Sequence, residues 1–224
     1  MAILAALIVV VGFGPSYYFK ELTDARELRL SVHFHGLVFS AWIILFIVQA
    51  FLVRTGNVSF HRKLGVFGVV IAAALVIVGT TVLTARVQTH FYPPWLLAIS
   101  GVDMIMFTAF FVLAIYRRTS SDIHKRLMLL TTLTILSAAV LRWPMLRPMF
   151  GSLDTLTTGT IWMYIGADIP LLAGVVYDQI IHGKVNKAYI WGGAALVASQ
   201  VLRIAFYQSE SWGALTEAYI RITT

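Results

Sequence analysis

Seven stretches of about 20 residues run through this chain nearly free of charge. A helix of roughly 20 apolar residues crosses the hydrocarbon core of a bilayer. Inside lipid the backbone must satisfy its own polar groups, which leaves helices or closed barrels. No segment alternates apolar and polar residues as a barrel strand does. The stretches lie at about 1–19, 30–53, 64–85, 95–116, 124–146, 160–181 and 188–207. They predict an all-α polytopic transmembrane bundle of seven spans, with residues 1–224 as one integral-membrane domain. Only 12% of the chain is charged, against about 25% in soluble domains. The first stretch lacks a basic leader and a small-residue cleavage site, so it reads as an uncleaved span. The last ~17 residues form a polar tail, read as a short surface helix. Cysteine is absent, which removes disulfide and thiolate chemistry.

Charge placement gives an orientation. Seven spans put loops 54–63, 117–126 and 182–187 on one side. That side carries Arg54, Arg62, Lys63, Arg117, Arg118, Lys125, Arg126, Lys184 and Lys187, opposed only by Asp122 and Asp178. Bases and acids elsewhere cancel, so the whole net charge of +7 sits on this face. The positive-inside rule makes it cytoplasmic, with the N-terminus inside and the C-terminus outside. Trp95, Trp143, Trp162 and Trp212 then fall near outer span ends, as an aromatic belt does. The pI of about 9.9 has this topological cause and does not indicate nucleic acid. The expected location is the inner (plasma) membrane, as a multi-pass protein in contact with lipid.

Two basic histidine motifs open spans: Phe60-His61-Arg62-Lys63-Leu64 and Ile123-His124-Lys125-Arg126-Leu127. They lie 63 residues apart, with Arg54 and Arg117 at matching offsets, as in a parallel repeat of a hairpin. Ser59 and Asp122 are the expected N-caps. His61 and His124 share a depth and a side, where one haem b can take two imidazoles. Arg62, Lys63, Lys125 and Arg126 would then face the propionates. The plainer reading is a pair of interfacial histidines in positive-inside clusters. His33 and His35 stand about 200° apart on a helix, so they cannot chelate one ion. His35, Phe39, Trp42, Phe46 and Gln49 form one stripe, which makes His35 the inward residue. Apart from a possible haem iron, no metal motif is present; HExxH is absent.

Four ionisable residues lie inside spans, in the outer half: Asp103, Arg142, Asp168 and Arg203. Asp103 and Asp168 are each about 12 Å deep at 1.5 Å per residue. A lone charge at mid-bilayer costs at least ~2.5–3.5 kcal/mol, so these groups should pair. Asp103 is expected with Arg142 or Arg203, and Asp168 with the other. With His35 and Gln200 they can line an outward-facing polar pocket, or they are structural ion pairs holding helices together. Pro170 is expected to free a backbone carbonyl beside Asp168. Thr131, Thr132, Thr134, Ser137 and Thr160 are expected to bond back to their own backbone or to a neighbour rather than catalyse.

These residues carry a resemblance. His33-Phe34-His35-Gly36, His61-Arg62-Lys63-Leu64-Gly65 and His124-Lys125-Arg126-Leu127-Met128, followed by Arg142, resemble an uncharacterised bacterial family of predicted membrane proteins. The likeness spans roughly residues 30–145, and that family has no activity to carry over. A looser resemblance links the chain to two-haem b-type transmembrane cytochromes, which pair histidines on alternate helices. His61 and His124, on spans 3 and 5, suit that scheme. A second haem would need histidines on spans 2 and 4, and span 4 has only His90 ahead of it. The resemblance implies a haem-b-binding or redox-linked membrane protein, with a quinone or a membrane redox protein as partner. The residues also admit a non-haem transporter or small-ligand binder using the outer charges, or an accessory subunit of a membrane complex. They do not decide whether it is an enzyme.

Overall fold

The computed structural model describes residues 1–22, 28–88, 94–150, 153–207 and 209–223. Helices carry nearly all of them, and no strand occurs among the described residues. In chain order they are α1 (Ala2–Phe13), α2 (Leu30–Arg54), α3 (Val58–Gln88), α4 (Pro94–Tyr116), α5 (Ser121–Leu133), α6 (Ser137–Val140), α7 (Leu153–His182), α8 (Lys187–Tyr207) and α9 (Glu210–Thr223). Six segments are long and apolar enough to cross a membrane: 30–54, 58–85, 96–116, 121–140, 156–182 and 187–207. The seventh expected span is shorter. It joins α1 to one π-helical turn, Gly14–Tyr18, and covers Ala2–Tyr18. The expected surface helix in the tail is α9, which docks through buried Trp212 beside Ala98, Leu156 and Tyr207.

Three short turns join α2 to α3, α4 to α5 and α7 to α8. Gly56 and Gly183 turn two of them at φ 77° and 66°, where a side chain would be strained. Contacts show that the turns meet at one end of the bundle. His61 of α3 faces His124 of α5, Arg126 of α5 reaches Asp178 of α7, and the Asn186 amide ahead of α8 donates to Asp178.

Two departures from the expected spans matter for function. First, α3 begins at Val58, and the Asn57 side chain accepts from the Phe60 amide at 3.3 Å. Asn57 therefore caps this helix in place of Ser59, and Ser120 takes the cap position of α5 ahead of Asp122. Second, span 5 is not one helix through 146. Thr131, Thr132 and Thr134 turn their hydroxyls back onto the carbonyls of Leu127, Met128 and Thr131. The ladder tightens over Thr134–Leu136, where Ile135 and Leu136 donate three residues back. The chain leaves helix after Val140, so Arg142 sits on a turn. Gly12 of α1 packs against the backbone of Ala139 there, an approach that any Cβ would block.

Candidate functional site

Charge cannot stay unpaired in the interior of such a bundle, and the helices place its charges at two levels. At the end with the three turns, Arg126 and Asp178 form a buried bidentate pair, Nε to Oδ2 at 2.7 Å and Nη2 to Oδ1 at 2.5 Å. Both residues are about 97% buried. The Asp122 carbonyl accepts from Nη1 of Arg126 at 2.6 Å, and the Tyr189 ring lies 5.5 Å from the guanidinium. The planar fork of arginine suits this two-point contact. The expectation that Arg126 faces a propionate from the surface fails: its donors are spent inside the bundle. Lys125 stays at the surface, bonded to Asp122 at 2.7 Å, and Arg62 is exposed.

The two motif histidines come together at the same end. Their ring centroids are 6.4 Å apart and the rings stand nearly perpendicular. Nδ1 of His124 lies 2.8 Å from the Ala114 carbonyl. That contact makes Nδ1 the protonated nitrogen and leaves the Nε2 lone pair open, the posture of a ligating histidine. Gln49 donates to the His61 carbonyl at 3.2 Å, so the inward stripe of α2 reaches this pair. The buried Nδ1 of His61 and Oε1 of Gln49 have no hydrogen-bond partner. Among the described residues no group of three or more His, Cys, Asp or Glu side chains converges on one point.

At the opposite level, Arg203 of α8 pairs with Asp103 of α4, and Ser137 donates to Asp103 at 2.7 Å. Arg203 also donates to the Ile99 carbonyl at 3.2 Å, and Tyr164 stacks 5.1 Å beneath it. Of the two partners proposed for Asp103, the structure selects Arg203. The second expected pair does not form. Asp168 accepts from the neutral amide of Gln200 at 3.2 Å, while Arg142 turns to the Ala138 carbonyl and to the Phe13 ring at 4.5 Å. The tight turn after Val140 brings Arg142 over the Phe13 ring of α1. Ser137 is the one hydroxyl of its group that leaves the backbone for a side chain.

Asp103 and Ser137 form one wall of a cavity of about 120 Å³, completed by His35, Ser100 and Arg142 with Phe39 and Met104. Three of the residues expected in the pocket therefore converge, His35, Asp103 and Arg142; Ser137 joins them, and Arg203 supports the space from behind. Asp168 and Gln200 belong to a separate hollow between α7 and α8. His90 and the side chain of Trp95 lie outside the described residues.

The Arg126–Asp178 pair carries a measurable energy. Arg126→Met strands a buried carboxylate and should cost about 3–5 kcal/mol. Arg126→Met with Asp178→Leu, which removes both charges, should recover most of that loss. Unfolding in mixed micelles measures both; a single variant as stable as wild type would contradict the buried pair. No family model, curated protein or solved structure matches this chain, so its functional reading rests on its own residues.

Proposed function

We propose that this is a multi-pass inner-membrane protein that binds a small polar solute in the cavity between α2, α3, α4 and α6 and passes it across the membrane. In this reading the Ala2–Tyr18 segment is a seventh span, the three basic turns face the cytoplasm, and the chain ends outside. The +7 charge confined to those turns supports that orientation. The cavity then lies in the outer half.

The observation that carries the reading is the polar wall itself. A carboxylate, a serine hydroxyl, an imidazole and a guanidinium converge on one space among membrane-spanning helices. Such groups are expensive in lipid, and they line solute paths when they face a cavity. Arg203 neutralises Asp103 from behind, and the Ser137 bond fixes the carboxylate. The wall therefore presents both donors and acceptors, which suits a hydrogen-bonding solute. A cavity of about 150 Å³ takes a benzene-sized guest, so this one suits about four to six heavy atoms.

Vesicles carrying the protein should swell faster than empty ones in iso-osmotic glycerol or urea, read by stopped-flow light scattering. Ser100→Leu, which fills the cavity, should return the rate to that of empty vesicles. Wild-type swelling equal to that of empty vesicles in both solutes would contradict the proposal.

A second reading is favoured by the approach of His61 to His124. Two imidazoles about 6 Å apart, one oriented by a backbone carbonyl, fit the donor set of a haem b held between helices. Arg62 and Lys125 are exposed, which supports a role at its propionates; Arg126 is buried. The group would supply one-electron transfer, with a quinone or a membrane redox protein as partner. Protein purified from a haem-replete host should then show a Soret band that is lost in His61→Ala and His124→Ala. A colourless wild-type protein would end this reading and leave the solute site untouched.

A further inference from the structure

The hollow between α7 and α8 differs from the solute cavity in every respect. It opens on the outward surface of two spanning helices, and its volume is about 380 Å³, within the range of drug-sized ligands. Its walls are branched aliphatic side chains, Ile165, Ile169, Val197 and Val201, all exposed on the chain and therefore turned to acyl chains in a bilayer. Contacts between α7 and α8 lie beyond it on both sides. Towards the three turns, Tyr189 packs on Gly174 and Leu171 on Gly193. Towards the other end, the Tyr207 hydroxyl reaches Thr160 at 3.5 Å.

Its floor is acidic. Asp168 lies fifteen residues into a 30-residue helix, about 22 Å from its start at 1.5 Å per residue. It is only partly buried, so the carboxylate opens on the groove. Its one hydrogen-bond partner is the neutral amide of Gln200. Arg203 is engaged by Asp103, so the local charge left over is the single negative charge of Asp168. A carboxylate facing lipid without a counter-ion is costly, and a positive guest removes that cost. An anionic lipid headgroup or a fatty acid would be repelled. A neutral amphiphile would leave the charge unmatched.

We infer that the α7–α8 groove binds a lipophilic cation, an organic ammonium or phosphonium whose apolar body lies against the branched aliphatic walls and whose charge meets Asp168. Charge complementarity selects this occupant. This inference needs the helices to lie in lipid but does not depend on the solute cavity.

The test uses two ions of the same size and opposite charge. Protein in nanodiscs of zwitterionic lipid is titrated with radiolabelled tetraphenylphosphonium and, separately, with tetraphenylborate. Saturable binding of one phosphonium per protein is expected, with no saturable binding of the borate. Asp168→Asn should weaken phosphonium binding at least tenfold. Val201→Trp, which fills the groove and leaves Asp168 and Gln200 in place, should abolish it, with unfolding temperature reporting that both variants fold. Equal binding of the two ions, unchanged binding in both variants, or no saturable phosphonium binding would overturn the inference. So would efficient disulfide cross-linking of two copies through Val201→Cys, an experiment made clean by the absence of native cysteine, because the groove would then be an interface.

Discussion

Removing a charge from water without a partner costs several kcal/mol, and that constraint organises the interior of this bundle. Asp103 and Arg203 come from α4 and α8, 100 residues apart in sequence. Their pairing fixes where these two helices cross, and Ser137 ties the end of the α5–α6 segment to the same point. The cavity beside them exists because this junction holds polar groups that cannot close into a wholly apolar core. Arg126 and Asp178 do the corresponding work at the other level, joining α5 to α7, while the Asn186 amide extends that junction to the start of α8.

Between the two levels the bundle is apolar. Trp42 and Phe107 pack edge to face at 5.0 Å, and the Trp42 indole donates to Thr132 at 3.3 Å. Leu130, Leu133 and Leu136 fill the centre around the threonine-bent segment. This layer separates the histidine pair from the polar cavity beside Asp103, so the two candidate sites have different neighbours and different electrostatics. The third feature, Asp168, is set apart from both because its helix turns it outward. The same residue class thus does three things: Asp178 locks, Asp103 locks and lines, and Asp168 opens on the α7–α8 hollow beside Gln200.

Much of this was legible in residues. Apolar length located six of the helices and the short first segment, and the period of α2 identified His35, Trp42 and Gln49 as inward. The need to pair intramembrane charge pointed to Asp103 and Arg203. What could not be read was geometry set by hydroxyl back-bonding. Three threonines bend α5, end the following turn of helix early and swing Arg142 toward Phe13, which leaves Asp168 with Gln200. The Arg126–Asp178 pair is hidden in the sequence because Arg126 sits in a run of basic residues that reads as surface charge. A signal was present: Asp178 is an acid inside the apolar stretch before Gly183, on the side where acids are scarce, and it needed an arginine.

The central claim is that Asp103 and Arg203 are each other's partner inside the membrane. A double-mutant cycle with Asp103→Asn and Arg203→Gln, followed by unfolding in mixed micelles, tests it most directly. The pair should couple by about 1–3 kcal/mol, with the double variant losing far less than the sum of the singles. Strictly additive losses would contradict it, because two groups that lose stability independently do not share a buried ion pair.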